Sequence, residues 1–382
     1  MLRLLTIVGA RPQIIKAAAL SRTINKNFSS EIEEIIVHTG QHYDDNMSQV
    51  FFDELQIPKP NYNLNVGSGS HGKQTAAMIE GIEVILISEK PNYIILYGDT
   101  NSTLAGAIAA SKIHIPIVHI EAGLRSFNKS MPEEINRIMC DHSSTFLFTP
   151  TLTGHQNLLN EGFVENKGSF NIDSPGIFHC GDVMYDNSLF FSDISDIRSS
   201  IQFSLGLKDK SYILTTIHRN NNTDDPVRLT NIFQGLIEII ETSNLQVVLP
   251  LHPRTKNKLQ QLPEELQQRI KNNKNLRIID PVSFLDMIQL EKNAELIITD
   301  SGGVQKEAYF FQKPCLILRN ETEWIEIIKE GTGVLVSANH DKIIKSFKKL
   351  YKSKKSFPPI FGDGNSANFI CKKLIENSVS SI

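Results

Sequence analysis

Short apolar runs, many rich in β-branched residues, alternate along the chain with longer segments whose apolar residues recur at helical spacing. Most of the runs have apolar residues at consecutive positions rather than at every second position, which is typical of strands buried on both faces of a parallel sheet. The alternation therefore predicts an α/β protein with doubly wound sheets. The predicted strands are 4–8, 34–38, 93–97, 117–120, 145–148, 177–180, 212–216, 246–250, 276–279, 296–299 and 314–318, and the predicted helices include 14–24, 73–89, 102–113 and 133–141.

A stretch rich in Gly, Ser, Asn, Asp and Pro interrupts this pattern at residues 166–175. The chain has 382 residues, which suits two domains. We predict an N-terminal Rossmann-like domain at 1–175, a C-terminal Rossmann-like domain at 176–365 and a terminal helix at 366–382. Polar motifs follow many of the predicted strands, and ligands of such sheets bind beyond the strands' carboxyl ends. We therefore expect an active-site cleft between the domains.

Composition and charge narrow the possible partners. The net charge of −3 argues against nucleic acid as the main partner, which usually requires a basic face. No apolar run approaches the roughly 20 residues of a membrane span, and the N-terminus does not resemble a secretion signal. The four scattered cysteines suggest reduced thiols. We expect a soluble, cytoplasmic protein with no nucleic-acid or membrane partner.

The turn after the first predicted strand, residues 9–16, is suited to phosphate. A glycine turn that leads into a helix presents backbone N–H groups to an anion, and Arg11 and Lys16 add positive charge. The turn lacks the GxGxxG pattern, which disfavours an NAD site. An ordinary strand-to-helix turn with Pro12 at the first helical position would look similar. Taken alone, the motif favours phosphate only weakly.

A second strand-to-helix turn, residues 299–307, carries two adjacent glycines. Ser301, Gly302 and Gly303 would let a diphosphate approach the backbone, and Glu307 lies where its carboxylate could accept hydrogen bonds from ribose hydroxyls. The alternative is a serine cap followed by solvated charge. We favour the binding role because two glycines at a helix start cost stability unless a ligand requires them.

Acidic and basic groups follow other strands. Asp99, Glu121 and Glu133 could each merely cap or begin a helix, but together they predict carboxylates at one edge of the first sheet. Like charges held close together raise the pKa of one carboxyl group, so that one can act as an acid and another as a base. His218 and His252, each followed by an arginine within two residues, end strands of the second half and suit a departing pyrophosphate. The pattern His119-x-Glu121 lacks the paired cysteines of a zinc deaminase, so no metal is assigned.

These motifs, in this order, resemble the non-hydrolysing UDP-N-acetylglucosamine 2-epimerases over essentially the whole chain. The resemblance implies the GT-B fold, with two Rossmann-like domains and a last helix that crosses back to the first. Gln13 and the residues after His218 look closer to the branch acting on UDP-2,3-diacetamido-glucuronic acid. The matching blocks are GARPQIIK, HTGQHYD, YGDTNSTLAG, HIEAGLRS, MPEEINR, TIHR, LHPRT, TDSGGVQKEA, QKP and GDGNSA.

The resemblance also implies a reaction and a set of site residues. UDP would leave C1 by anti elimination as C2 is deprotonated, and it would re-add to the 2-acetamidoglucal to give the C2 epimer, with no cofactor and no metal. The substrate pair would be UDP-GlcNAc and UDP-ManNAc or the diacetamido-uronate equivalents. The implied residues are Asp99, Glu121, Glu133 and His218 for catalysis, Arg11, Lys16, His252, Asp280, Phe284, Ser301, Gly302, Gly303 and Glu307 for UDP, and Arg125 and Arg137 for the sugar.

Other functions stay open at this point. A GT-B glycosyltransferase would share the nucleotide motif but would leave the acidic cluster unexplained. A hydrolysing epimerase would follow the same elimination and end in free sugar, and a UDP-sugar sensor would bind without turnover. The resemblance further implies a homodimer that acts in bacterial surface polysaccharide synthesis, including lipopolysaccharide.

Overall fold

The computed structural model describes residues 1–41, 58–207, 211–251 and 253–378. The chain divides into two compact units, the first comprising Met1–Asn187 and Pro359–Ile382 and the second Ser188–Pro358. Within the described ranges, none of the helices combines the length and apolar character that crossing a membrane requires.

The first unit is built on a seven-stranded parallel sheet with the order β3-β2-β1-β4-β5-β6-β7. A π-helical turn, Ile24–Phe28, extends its first helix. The strands are β1 Leu2–Val8, β2 Ile32–His38, β3 Tyr62–Asn63, β4 Tyr93–Tyr97, β5 Ile117–Ile120, β6 Phe146–Thr149 and β7 Gly176–His179; the helices are α1 Arg11–Thr23, α2 His71–Glu89, α3 Asn101–Lys112, α4 Pro132–Ser143, α5 Leu152–Asn160 and α6 Val183–Arg198, within which the unit boundary falls.

The second unit contains a six-stranded parallel sheet with the order β10-β9-β8-β11-β12-β13. A 3₁₀ turn, Leu259–Gln261, follows one of its helices. The strands are β8 Tyr212–Thr216, β9 Gln246–Pro250, β10 Leu276–Ile279, β11 Leu296–Thr299, β12 Cys315–Ile317 and β13 Gly333–Leu335; the helices are α7 Ile201–Ser204, α8 Asn220–Thr223, α9 Pro226–Ser243, α10 Pro253–Lys258, α11 Glu264–Asn272, α12 Phe284–Asn293, α13 Gly302–Phe310, α14 Ile325–Lys329 and α15 His340–Leu350, and α16, Ser366–Ser378, returns to the first unit.

Burial on both faces explains why apolar residues occupy consecutive positions of the strands. In β8, Ile213 packs into one hydrophobic cluster, whereas Tyr212 and Leu214 pack into another. In β11, Ile298 joins the first cluster and Ile297 the second. Because successive side chains of a strand point to opposite faces, these two clusters lie on the two sides of the sheet. The predicted doubly wound α/β architecture is therefore confirmed.

The predicted boundary after residue 175 is wrong. Strand β7 pairs in parallel with β6, so it belongs to the first sheet rather than the second domain. Phe178 of β7 also packs against Phe170, which lies in the Gly/Ser/Pro-rich stretch, and near Phe369 of α16. The stretch at 166–175 is consequently a loop within the first unit.

Helix α16 is anchored at its start by a buried carboxylate. The backbone N–H groups of Ser366 and Ala367 donate to Asp186 at 3.1 and 2.8 Å. Burial raises the pKa of Asp186 to about 6, although these two hydrogen bonds oppose the rise. The return of the last helix to the first unit thus depends on specific contacts as well as on apolar packing.

The loop that follows β5 is expected to be intolerant of a side chain at Gly123. Its φ is +77°, and an added Cβ would lie 2.2 Å from the carbonyl oxygen of Gly154. Gly123→Ala should therefore cost about 3 kcal/mol, from backbone strain plus a clash that only backbone movement relieves. Gly162→Ala is the matched control: its φ is +95°, but the space around it is open, so about 1 kcal/mol is expected. Equal losses in melting temperature would contradict this account of the loop.

Candidate active site

Sheet order determines where ligands can approach each unit. In the first sheet the direction of winding reverses between β1 and β4, and in the second it reverses between β8 and β11. Helices that leave the two strands at such a point diverge, which opens a crevice at the carboxyl edge. Arg11 and Asp99 closely follow β1 and β4, while His218 and Ser301 closely follow β8 and β11. These four predicted residues therefore lie at the switch points of their units.

Glu121 is paired with Lys16 in the first unit. The two side chains form an ion pair and are only 9% and 12% exposed. Glu121 has a φ of +78°, which is uncommon for a residue with a side chain, and its N–H donates to the carbonyl of Phe148 at 3.1 Å. A Cβ on Gly98 would lie 3.0 Å from Lys16 Nζ, so the glycine makes room for the pair. Lys16, predicted to bind phosphate, thus contacts a predicted catalytic carboxylate.

Asp99 lies beside an arginine that holds its carboxylate. Arg137 Nη2 donates to Asp99 Oδ2 at 2.5 Å, and the side-chain amide of Asn136 donates to the Asp99 carbonyl at 2.9 Å. The Asp99 side chain keeps 35% of its surface exposed, whereas that of Arg137 keeps 6%. Arg137 was predicted to bind sugar, and its observed partner is a predicted catalytic group.

The two adjacent glutamates at the start of α4 have different surroundings. Glu134 is buried and accepts hydrogen bonds from the N–H groups of Ser126 and Phe127, each at 2.9 Å. Glu133 is exposed, because adjacent helical residues point about 100° apart. Glu134 therefore holds the preceding loop, and Glu133 retains a carboxylate that faces solvent.

A buried network that the sequence did not reveal supports the segments that follow β4 and β5. His119 is fully buried, and its two ring nitrogens contact Asp141 Oδ1 at 2.6 Å and the carbonyl of Gly98 at 2.8 Å. Both partners are acceptors, so both nitrogens must carry protons and the ring is an imidazolium. Asp141 also accepts from the N–H of Gly123 at 3.1 Å. His119 and Asp141 thus tie the segments next to Asp99 and Glu121 together.

The same network contradicts the prediction that Arg125 binds the sugar. Its guanidinium donates to Asp141, to both carboxylate oxygens of Glu161 and to the carbonyl of Leu124, at 2.6–2.7 Å. Only 1% of the side chain is exposed. Arg125 is a structural group, because its planar fork of donors matches the buried carboxylates that surround it.

Gln13 is a second residue whose role the sequence did not reveal. The N–H of Gly9 donates to its side-chain oxygen, and its side-chain nitrogen donates to the carbonyl of Tyr97 and to Thr103 Oγ1, each at 3.0 Å. Gln13 therefore joins the turn after β1 to the end of β4. Gly9 permits this closure, since an added Cβ would lie 2.1 Å from Ser102 Oγ. The only signal in the sequence was its departure from the more familiar family pattern.

His218 is oriented by Asp300 in the second unit. Its Nδ1 lies 3.0 Å from Asp300 Oδ1, and Asp300 is fully buried. The backbone N–H groups of His218 and Arg219 and the amide of Asn222 also donate to Asp300 at 3.0–3.2 Å. These donors outweigh burial, and the pKa of Asp300 falls below its usual value. The Asp300 carboxylate fixes the imidazole, whose side chain is 55% exposed.

The turn at the start of α13 has open space around its two glycines. Ser301 caps the helix by accepting from the N–H of Val304. A Cβ added to Gly302 or Gly303 would meet no atom closer than 3.8 Å, and neither glycine has a positive φ. Packing within the described residues therefore does not require glycine here. A cavity of about 720 Å³ in the same unit is lined in part by Arg219, Arg228 and Arg319.

The remaining predicted residues have mixed surroundings. Arg11 is exposed at the start of α1, and the Asp280 side chain is 84% exposed, with Lys256 Nζ 3.6 Å from its carboxylate. Phe284 begins α12 and makes an edge-to-face contact with Phe191. Glu307 is half-buried in α13. His252 lies outside the described residues, and within those residues no group of three or more His, Cys, Asp or Glu side chains could hold a metal ion.

The imidazolium of His119 predicts a specific pH dependence of stability. Burial lowers the pKa of His119, but the neighbouring Cys140 and Asp141 outweigh burial and raise it well above 6.5. A group whose pKa is raised by folding stabilises the folded protein fully when the pH is below its pKa in the unfolded chain. This stabilisation is lost as the pH rises through its pKa in the folded protein. The melting temperature of the wild type should exceed that of His119→Gln most below about pH 6.5, and the difference should shrink at alkaline pH.

Thermal melts of both proteins between about pH 5.5 and 9.5 measure this trend. His114→Gln, at an exposed position of the same unit, is the control and should show no such narrowing. A difference between wild type and His119→Gln that widens with pH would contradict a buried imidazolium.

Comparison with known proteins identifies the family. The family model for UDP-N-acetylglucosamine 2-epimerase matches residues 25–375. A UDP-N-acetylglucosamine 2-epimerase homolog of Methanococcus maripaludis is 50% identical, and the UDP-2,3-diacetamido-2,3-dideoxy-D-glucuronate 2-epimerase of Pseudomonas aeruginosa is 48% identical, each over 98% of this chain and 99% of the relative. The crystal structure of Methanocaldococcus jannaschii UDP-GlcNAc 2-epimerase in complex with UDP-GlcNAc and UDP is 43% identical, with a TM-score of 0.82 over 98% of this chain and 100% of that one. These matches confirm the predicted resemblance and the GT-B fold class, and the chain belongs to the UDP-N-acetylglucosamine 2-epimerase family of isomerases.

Proposed function

We propose that this enzyme inverts C2 of a UDP-activated 2-acetamido sugar without hydrolysis, by eliminating UDP and adding it back. The observation that carries the proposal is the pair of carboxylates in the first unit, Glu121 against Lys16 and Asp99 against Arg137. Each carboxylate has its own cation and its own degree of exposure. Two carboxyl groups in different surroundings can serve as the acid and the base of one reaction.

The reaction begins with removal of the C2 proton by one carboxylate. The electron pair of the C2–H bond forms the C1=C2 double bond, and the bond from C1 to the β-phosphate oxygen breaks so that UDP leaves with its electrons. In the reverse sense, the phosphate oxygen attacks C1 while a carboxylic acid delivers a proton to the opposite face of C2. Asp99, Glu121 and the exposed Glu133 are the candidates for these proton transfers.

The second unit would hold the leaving group. The backbone at Ser301, Gly302 and Gly303 would bind the diphosphate at the start of α13, and Glu307 would accept hydrogen bonds from the ribose. His218, fixed by Asp300, would stabilise charge on the departing phosphate. Arg11 would bind phosphate oxygens through its guanidinium, and Asp280 and Phe284 would contact the uracil.

The sugar is one of two types in this proposal, namely 2-acetamido-glucose and -mannose or their 2,3-diacetamido uronic acids. The 48% identity to the Pseudomonas aeruginosa enzyme favours the diacetamido pair, and the 43% identity to the Methanocaldococcus jannaschii enzyme keeps UDP-GlcNAc open. Offering each sugar separately and following its interconversion by NMR would identify the pair. Release of free sugar would instead indicate the hydrolysing reaction.

Exchange at C2 tests the acid–base assignment. Wild-type enzyme in deuterated water should place deuterium at C2 of the accepted UDP-sugar, as proton NMR can follow. Asp99→Asn and Glu121→Gln should each lower the exchange rate by roughly 10²–10⁴-fold. Asp173→Asn, the same change at an exposed loop position of the first unit, should leave the rate unchanged. Near-normal exchange by Asp99→Asn would remove Asp99 from the mechanism.

The open turn at Gly303 predicts opposite effects on stability and binding. Gly303→Ala should raise the free energy of unfolding by up to about 1 kcal/mol, because alanine is the better helix former and its Cβ meets no clash. The same Cβ should obstruct the diphosphate and weaken UDP binding about tenfold. Calorimetry measures both quantities. Gly72→Ala, in open space on α2, should change stability similarly and leave UDP affinity unchanged, whereas undiminished UDP affinity in Gly303→Ala would contradict the proposed diphosphate site.

A further inference from the structure

A buried glutamate lies on the helix that packs against the one carrying Glu307, the predicted ribose-binding residue. This residue, Glu291 on α12, is fully buried. Within the described part of the chain, no N–H or hydroxyl group donates a hydrogen bond to either of its carboxyl oxygens. An ionised carboxylate in that position would be severely destabilising. Glu291 must therefore either be neutral or share a proton.

The neighbour that can share this proton is Glu307, because the helices that carry the two residues, α12 and α13, pack against each other and the charge of Glu307 acts on Glu291. Ionised carboxylates only accept hydrogen bonds, so two carboxyl groups bond to each other only when one of them holds a proton. Glu291 is fully buried, whereas Glu307 is half-buried, so the proton belongs on Glu291. Burial, followed by the charge of Glu307, raises the pKa of Glu291 well above its usual range.

Among the described residues, Glu307 is the charged group that affects the pKa of Glu291. The Cys315 thiol, on β12, is also affected by Glu291, and burial raises the pKa of that thiol above its usual value. The thiol therefore stays neutral and adds no second negative charge beside Glu291. The Glu291–Glu307 pair keeps a single negative charge, which resides on the residue nearer to solvent.

We infer that Glu291 is a positioning residue: its neutral carboxylic acid donates a hydrogen bond to Glu307 and fixes that carboxylate to receive the ribose hydroxyls of the nucleotide. The inference rests on the proposed function, because that proposal assigns Glu307 to the ribose. A glutamate side chain has three rotatable bonds, and ordering it on binding costs free energy. A donor behind the carboxylate orders it before the ligand arrives, so more of the hydrogen-bond energy appears as affinity.

Two substitutions at Glu291 and two nucleotides test the role. UDP carries both ribose hydroxyls, and 2′,3′-dideoxy-UDP lacks them, so the ratio of their dissociation constants measures recognition of the ribose. Glu291→Met removes the donor and should weaken UDP binding about tenfold, with little change for 2′,3′-dideoxy-UDP. Glu291→Gln retains an N–H donor and should keep the wild-type ratio within about threefold. Glu307→Ala gives the ratio expected when ribose recognition is lost.

The controls separate this role from a general effect on folding. Glu295→Met, four residues later, removes a half-buried glutamate and should leave the ratio unchanged. The wild-type-minus-Glu291→Gln infrared difference spectrum at pH 8 should contain the carbonyl band of a protonated carboxylic acid, which a purely structural role would not require. This band remains measurable if Glu291→Met does not fold.

Each outcome has a distinct meaning. If the wild type binds UDP no better than 2′,3′-dideoxy-UDP, the assignment of Glu307 to the ribose fails, and the positioning role fails with it. A wild type that discriminates and a Glu291→Met variant that discriminates equally would overturn the positioning role while leaving the proposed function intact. A difference spectrum without the protonated band would overturn the neutral state of Glu291.

Discussion

Parallel strands all end at the same edge of their sheet, and the rest of the structure depends on this constraint. In each unit the order of strands reverses once between neighbours, β1 and β4 in the first and β8 and β11 in the second. The apolar strands bury their side chains on both faces, so polar groups gather where the strands end. The same strand order therefore produces a group of carboxylates in one unit and a strand-to-helix turn with open space around its two glycines in the other.

Several charged groups at the edge of the first sheet are held by partners of opposite charge. Lys16 pairs with Glu121, Arg137 pairs with Asp99, and the imidazolium of His119 is neutralised by Asp141. Burying one such charge without its partner would cost several kcal/mol, whereas the paired arrangement restricts each carboxylate to one orientation. In the second unit Asp300 orients His218, and Glu291 supports Glu307. In both units, buried groups behind the exposed ones determine where the exposed ones point.

Much of the fold was predictable, because strands buried on both faces leave long apolar runs, as at 93–97 and 212–216. The edge strands β3 and β13 escaped prediction because they are two and three residues long. Sequence also located the switch-point motifs, but it could not tell which side chains of a motif face the core. Arg125 was therefore assigned to the sugar, and His119, Gln13 and Glu291 were missed, since burial and partners emerge only when distant segments pack.

The central claim is that the bond between C1 and the β-phosphate oxygen breaks and re-forms on the enzyme. Positional isotope exchange tests it directly: the accepted UDP-sugar is prepared with ¹⁸O in the oxygen that bridges C1 and the β-phosphate and is followed by ³¹P NMR. Elimination and re-addition predict that the label spreads into the non-bridging β-phosphate oxygens while C2 epimers interconvert. Interconversion with the label retained in the bridge would contradict elimination and require a mechanism that leaves the C1–O bond intact.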